Sequence, residues 1–569
     1  MAARCTRDKG LADLPPAVLD QRRSVIRRSK AGPWRAVVLL LVQALMAVHI
    51  GHWMASGRTM TPLEPSESMQ FSQSTIVNAG FVFFALTIAS TLVFGRWFCG
   101  WACHVVALQD GSRWLLVKLG IRPRMVNLGI LSAVPWAAFV YMFLAPLVQR
   151  LLLGVRAPEA TLRLTTTSFW ATFPSWPVAL ATFFVCGFAI VYLLGSKGFC
   201  NYGCPYGAIF GIADQLSPLR IRVSDACDGC GHCTAVCTSN VRVHQEVRDF
   251  GAVVDAGCMK CLDCVSVCPK DALRVGWGAP AILTSRRTAA PAGGSGGAAA
   301  ALLDLGLLAA FLLGAYALFL DFDRDLDRIP GALDLLAVLT AFSVAVAALF
   351  RGKAQRTREY SRAEEALLAG FFLLALYSFR GFRGSVPLLF ALGLSAILAF
   401  VALQGLRLLY RPDVSIQRRA LRSAGKWTAA GTVFALSLLP IGASWGYAGW
   451  GRHALRGAYE DGMRLATEGS VEPAIAALRR AVAIDPGYRD AQEKLASLLC
   501  DAGRLPEGIE TFRAAVARNP ERPETRALLG LALLASGDAA AARRELEEAV
   551  RIAPGRPEFR QMLESAGGR

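Results

Sequence analysis

The sequence predicts a mostly α-helical, polytopic membrane protein with a small cysteine-rich α+β module inserted in it and an α-solenoid at its C-terminal end. Three observations predict this class. Apolar residues, 54% of the 569-residue chain, gather into runs of about 20, the length a helix needs to cross the hydrocarbon layer. Eight cysteines recur between residues 227 and 268 in two runs of identical spacing. From about residue 455 the texture changes to Ala, Leu, Arg and Glu, and the segments AVAIDP, AVARNP and AVRIAP end at Pro486, Pro520 and Pro554, 34 residues apart.

Residues 1–34 form a basic N-terminal segment (Arg22, Arg23, Arg27, Arg28, Lys30), followed by an apolar run over about 36–55. That run is long, and no small-residue cleavage site follows the Arg22-Arg23 pair. It reads as a first crossing helix with its N-terminus inside, not as a removed signal. Runs at about 76–95, 127–149 and 177–195 complete a four-helix region, 35–198. The loop between the second and third runs carries Arg96, Arg113, Lys118, Arg122 and Arg124, and the cysteine-rich stretch after the fourth is flanked by Lys197, Arg220, Arg222, Arg286 and Arg287. Counting from an inside N-terminus puts both basic segments inside, so charge and parity agree. A linker, 281–300, contains AAPAGGSGGAAA.

A second membrane region, 301–450, holds runs at about 301–320, 331–350, 364–379, 387–408 and 427–447. The loop 321–329, with Asp321, Asp323, Asp325 and Asp327, falls outside, and the basic loop 351–362 falls inside. Nine spans leave the C-terminus outside. The run 364–379 is short, and if it forms a re-entrant hairpin with its neighbour the count becomes seven with the same parity. Residues 451–569 resemble three tetratricopeptide repeats, each a helix–turn–helix closed by a proline. Gly469, Gly503 and Gly537 recur with the same period, and Ala474, Ala481, Ala515, Ala542, Ala549 and Gly508 supply the small residues that let paired helices approach. The resemblance implies a concave protein-binding surface.

The two cysteine runs read Cys227-x2-Cys230-x2-Cys233-x3-Cys237 and Cys258-x2-Cys261-x2-Cys264-x3-Cys268-Pro269. Zinc sites show separated cysteine pairs, and a disulfide framework belongs to small secreted domains. The runs resemble the bacterial two-cluster ferredoxin over about residues 217–277. In that pattern three close thiolates hold three irons of one cubane, and the fourth cysteine ligates the other. The resemblance therefore implies one [4Fe–4S] cluster on Cys227, Cys230, Cys233 and Cys268, and a second on Cys258, Cys261, Cys264 and Cys237.

Four more cysteines form Cys99-Gly100-Trp101-Ala102-Cys103-His104, after the second run, and Cys200-Asn201-Tyr202-Gly203-Cys204-Pro205, after the fourth. Both sit where a helix emerges on the inside, after similar leads, and thiolates at i and i+4 share a helix face. Together the pairs offer four sulfurs, enough for a third cluster or a soft metal ion. Paired C-x3-C motifs ahead of a two-cluster ferredoxin, over about residues 35–280, resemble the membrane polyferredoxins related to NapH, NosR and the RdxA/CcoG group. That resemblance implies electron transfer at the cytoplasmic membrane and, in the CcoG branch, copper handling. Two departures stand out: His104 occupies the position where the family usually has proline, and no flavin-binding domain of the NosR kind is visible. Cys5, Cys186 and Cys500 belong to no pattern.

His49 and His52, in HIGHWM, lie toward the outer end of the first run and are candidate ligands for haem, copper or a quinone. The competing reading makes them interfacial residues beside Trp53. The chain has no nucleotide-binding glycine turn, no P-loop and no catalytic triad pattern. Its excess of 61 Lys and Arg over 43 Asp and Glu flanks apolar runs, which argues for membrane anchoring and against nucleic acid. The expected protein is an electron carrier of the inner membrane rather than a stand-alone catalyst. Its ferredoxin module is cytoplasmic and its repeats periplasmic. It takes electrons from a cytoplasmic donor and passes them to a quinone or a periplasmic redox protein, with a protein partner on the repeats. Two alternatives compete: a copper-reducing or maturation factor for a respiratory oxidoreductase, and a redox sensor. Every recognisable centre lies on the inner face in this reading, so something must bridge the hydrocarbon layer.

Overall fold

The computed structural model describes residues 26–167, 169, 176–239, 241–287, 298–324, 331–349, 359–381, 386–520, 522–553 and 556–567. The Arg22-Arg23 pair, Cys5, Pro554, and most of the glycine-rich linker, of the acidic loop 321–329 and of the basic loop 351–362 lie outside the described residues. Each of the nine apolar runs is helical. Seven helices are long and apolar enough to cross a membrane: Ala31–Ser56, Gly129–Leu152, Pro177–Leu194, Ala299–Asp321, Ala332–Leu349, Leu388–Tyr410 and Ala429–Thr467. The other two are shorter or more charged: Ala79–Phe94 and Arg362–Phe379.

Arg362–Phe379 is no hairpin. At its start Arg362 pairs with Asp304 (2.8 Å), and just past its end Arg380 donates to the Phe319 carbonyl (3.2 Å). It therefore runs alongside the helix Ala299–Asp321 for about 15 residues, or ~22 Å. Its first turn carries two buried acids, Glu364 and Glu365, which lower its apolar content. Glu364 is held by Arg407 (2.7 Å), Arg411 (3.2 Å) and the Tyr410 hydroxyl (2.7 Å), all at the end of the next helix. A buried carboxylate with charged and hydroxyl donors is tolerated where a lone one is not.

The cysteine-rich module is a two-stranded antiparallel sheet, Leu219–Val223 with Leu273–Trp277, closing over the short helices His232–Val236, Val243–Phe250 and Asp263–Ser266. The first part of the expected linker is fastened to it, with Arg286 paired to Asp249 at 2.6 Å.

The repeats sit at the opposite end of the bundle. Helix Ala429–Thr467 starts beside the sheet Val414–Ile416, Arg419–Ser423, Lys426–Trp427. Gln417 of that sheet bonds the backbone of Arg124 and Leu193 near the cysteine motifs. The helix then runs without a break into the first repeat, where Leu455, Tyr459 and Gly462 are buried against the helix Val471–Ile484. The sequence boundary at 450/451 falls inside this helix, because the last crossing helix is also the first helix of the solenoid. Further pairs are Arg489–Asp501 with Leu505–Arg518 and Pro523–Ala535 with Ala539–Ile552, closed by Pro557–Gly567. Starts at 471, 505 and 539 preserve the 34-residue period, and Ala474, Ala481, Ala515, Ala542 and Ala549 are all buried.

Candidate functional site: three thiol quartets in a row

In the ferredoxin module the two runs interleave. Cys233 lies among Cys230, Cys227 and Cys268, whereas Cys264 has Cys261, Cys258, Cys237 and, further down, Cys233 around it. These neighbourhoods are compatible with the grouping that the ferredoxin resemblance implies. All fourteen described cysteines are free thiols. Burial, then neighbouring Cys230, pushes the Cys233 thiol up to about 12; burial, then Asp263, does the same to Cys261. Buried thiolates packed together are unfavourable without positive charge, which iron ions supply.

The C-x3-C motifs make the third quartet. Each crossing helix before a motif ends in a positive-φ glycine, Gly95 or Gly195, and turns into a short helix, Trp97–Trp101 or Gly198–Tyr202. The chain then re-enters the bundle. Helices His104–Lys118 and Pro205–Leu216 begin deep inside it, with Cys103 and Cys204 as their N-caps, and run back toward the ferredoxin module. Their depth follows from their partners. Gln43 donates to the His104 carbonyl (3.2 Å) and lies eight residues beyond Arg35, which pairs with Asp110; that is ~12 Å along the first helix. Tyr206 packs on Phe84 (5.8 Å between centroids), ten residues before Phe94, or ~15 Å. The chain thus turns back at each motif, with Cys103 and Cys204 half-buried at the starts of the half-helices.

The four thiols converge. Cys204 lies within electrostatic range of Cys200, Cys103 and Cys99, and Cys103 of Cys99 and Cys200. Donors offset the mutual repulsion of these sulfurs. Arg96 Nε donates to Cys99 Sγ (3.2 Å), and Gln109 Nε2 to Cys200 Sγ (3.1 Å). The backbone N–H groups of Val105 and Val106 face Cys103, and that of Gly207 faces Cys204, so two helix N-termini point at the quartet and favour negative charge there. The two halves also brace each other: Lys197 Nζ meets Asp110 at 2.5 Å, and the Arg96 N–H donates to Asp214 at 2.9 Å. Among the described residues no three or more His, Cys, Asp or Glu close on one metal ion. Four thiols could serve a cluster or a soft metal ion.

The ferredoxin module is seated directly on this quartet. A Cβ on Gly100 would stand 2.1 Å from the Met259 carbonyl oxygen, so only glycine permits the contact. Trp101 Nε1 donates to the Lys260 carbonyl (2.9 Å). Lys260 Nζ reaches buried Asp214 (2.7 Å), Arg96 Nη1 donates to the Ala256 carbonyl (3.1 Å), and Arg35 pairs with Asp263 (3.2 Å). The loop between Cys258 and Cys261 is therefore the one that touches the membrane quartet, while Asp225, Ala226 and Asp228 around Cys227 face solvent. Asp110, Asp214 and Gln109 were not singled out from the sequence. Their signal was a carboxylate or amide within an otherwise apolar stretch just after each motif.

His49 and His52 lie far from these thiols. His49 Nε2 bonds the Met60 carbonyl and His52 Nδ1 the Thr59 hydroxyl, each at 3.0 Å, and His49 packs edge-on against Phe169. Both anchor the outer loops. Cys186 and Cys500 stand apart from every quartet, the former buried near the Leu389 carbonyl and the latter packed in the repeats.

A model described as a 4Fe-4S binding domain matches residues 78–122 and 176–224, the two helix–motif–half-helix units. One described as a 4Fe-4S dicluster domain matches 226–273, and a tetratricopeptide repeat model matches 493–557. Among curated proteins, the ferredoxin-type protein NapH of Haemophilus influenzae is 26% identical over 41% of this chain and 85% of its own length. The methylamine utilization ferredoxin-type protein MauN of Methylorubrum extorquens is 28% identical over 29% of this chain, and the putative electron transport protein YccM of Escherichia coli 28% over 32%. The chain spans about half the length of these last two, 54% and 51%. Among solved structures, a type III secretion complex from Aeromonas hydrophila matches 20% of the chain at a TM-score of 0.18, too low to carry any argument.

Proposed function

We propose, for a chain whose homologues are the ferredoxin-type membrane proteins NapH, MauN and YccM and which carries 4Fe–4S domains and tetratricopeptide repeats, that it conducts electrons from a cytoplasmic donor into the membrane and on to a periplasmic or membrane acceptor. The seat of the Met259–Lys260 loop on Gly100 and Trp101 carries this reading, because it sets two cysteine sets end to end without intervening lipid. Cys227, Cys230, Cys233 and Cys268 would hold the outermost cluster, Cys258, Cys261, Cys264 and Cys237 the middle one, and Cys99, Cys103, Cys200 and Cys204 a third within the bundle. A [4Fe–4S] cluster supplies one-electron chemistry at a potential set by its hydrogen bonds, charge and exposure. Arg96 and Gln109, donating to sulfur, favour the reduced and more negative state, as do the two helix N-termini. Lys260 and Asp214 hold the middle cysteines against the bundle. The repeats would dock the partner.

Sidedness follows from Lys and Arg in the short loops. A reporter active only in the periplasm should work when fused after Arg569 and stay silent when inserted at Ser285. The reverse pattern would move the repeats, and the partner, to the cytoplasm.

The repeats should also be separable from the redox core. Each unit packs on its neighbours, and of the described cysteines only Cys500 lies beyond Cys268. A chain ending at Gly451 should keep its full iron and its reducibility by dithionite while losing co-purification of its partner. Loss of iron on truncation would tie the repeats to cluster assembly and defeat the docking role.

A further inference from the structure

The segment between the first two crossing helices does not stay at the surface. Thr61, Pro62, Pro65, Glu67, Ser68 and Ser72 are buried. The loop lies on the start of the helix Ala79–Phe94, where a Cβ on Gly80 would stand 2.5 Å from Glu67 Cβ and 2.8 Å from the Glu64 and Pro62 carbonyl oxygens. Asn78, fully buried, organises the contact. Its Oδ1 accepts from the Phe81 N–H (2.7 Å), and its Nδ2 donates to the Glu67 carbonyl (2.8 Å) and Gln70 Oε1 (3.2 Å). Ser72 Oγ donates to the Met142 carbonyl at 3.2 Å. At the bottom of this loop Glu64 and Glu67 lie within electrostatic range of Tyr206, two residues past Cys204, whose buried hydroxyl has no hydrogen-bond partner among the described residues. The membrane quartet thus has the ferredoxin module on one side and a polar loop from the repeat side on the other. Polar and ionisable groups in a bundle interior are costly and mark a route or a site.

Above the loop lies a platform of chain 153–167. It is zipped to the loop by the pairs Thr59–Thr166 and Ile76–Thr161 and by the Thr61 N–H to the Leu164 carbonyl (2.9 Å). Arg150 bonds the Gln73 carbonyl. The last repeat lies within electrostatic range of it, Glu548 of Arg163 and Arg556 of Arg150.

We propose that the buried loop Thr61–Ser74, seated on Gly80 and held by Asn78, is the port through which the membrane quartet delivers electrons to a soluble one-electron acceptor held on the repeat side. This deepens the electron-transfer reading and rests on it. The loop replaces lipid with protein between the quartet and the outer surface, and the repeats stand beside its mouth. A lipid-borne two-electron carrier would instead meet the quartet from the side, where Cys103 and Cys204 are half-buried.

The test uses the full chain in proteoliposomes, with dithionite on the ferredoxin side, ferricyanide on the repeat side and an ionophore to dissipate charge. One electron leaves the reduced quartet for each ferricyanide converted to ferrocyanide. Iron content and the EPR spectrum after dithionite are read in parallel. Asn78→Asp keeps the cap on Phe81 but removes both donations to the loop; Gly80→Leu unseats the loop sterically. Both should retain wild-type iron and EPR signals and slow ferricyanide reduction at least tenfold. Wild-type rates in a fully loaded Asn78→Asp variant would overturn the port, as would transfer that needs a quinone dissolved in the bilayer. If transfer persists in Cys99→Ser/Cys204→Ser, the electron-transfer reading of the quartet fails first, and the port with it. If it stops there but ignores both loop variants, only the port fails.

Discussion

Replacing Cys99 and Cys204 together by serine is expected to lower the iron content of the anaerobically purified protein from roughly twelve to roughly eight per chain. The two residues come from motifs about a hundred positions apart, and each meets a dedicated partner: Arg96 donates to Cys99, and the Gly207 N–H faces Cys204. Removing one thiolate from each motif leaves two sulfurs, too few to hold a cubane. The eight ferredoxin cysteines do not contact these positions except through the Met259 loop, so their EPR signal after dithionite should survive. The readout is iron and sulfide per chain together with that spectrum. Unchanged iron and an unchanged spectrum in the double variant would leave the quartet without a cluster and shorten the electron path to the ferredoxin module alone.

Asp214→Asn should be the most destabilising single change near the site, by about 3–5 kcal/mol. Asp214 is fully buried and accepts from Lys260 Nζ at 2.7 Å, from the Arg96 N–H at 2.9 Å and from Arg220, which is itself fully buried. Asparagine retains an acceptor for the backbone N–H but removes the charge that balances two buried cations. Desolvated cations without a carboxylate cost far more than an exposed ion pair contributes. Lys260 lies between Cys258 and Cys261, so the loss should be felt first where the ferredoxin module meets the bundle. Thermal denaturation of the loaded protein should show an early transition, accompanied by protease cleavage near residues 256–263. A variant with wild-type melting and no new cleavage would mean that Gly100, Trp101 and Arg35 hold the module without Asp214.

Features governed by local chemistry were legible from the chain alone. Coordination of a cubane needs three thiolates at short fixed intervals, so the runs at 227–237 and 258–268 announced a 4Fe–4S dicluster domain. A 34-residue unit must repeat its small residues to stack, so Ala474, Ala481, Ala515, Ala542 and Ala549 marked the solenoid, and hydrocarbon thickness alone marked the crossing helices. Three features depended on contacts between segments far apart in sequence. The C-x3-C motifs look like plain helix ends, yet the chain turns back there into half-helices that begin at Cys103 and Cys204. That fold becomes tolerable only because Lys197 reaches Asp110, Lys260 reaches Asp214 and two helix N-termini share one cluster of sulfurs. The loop at 61–74 carries no sequence signal of its own, but the missing side chain of Gly80 and the amide of Asn78 let it pack on the start of the helix Ala79–Phe94. The short helix Arg362–Phe379 packs into the bundle with a buried acid because Arg407, Arg411 and Tyr410 take up the charge of Glu364. Buried polar groups are paid for by their partners in a low-dielectric interior. Spacing along the chain determined what each segment could bind or span, and only the packing of distant segments decided how deep each polar group could go.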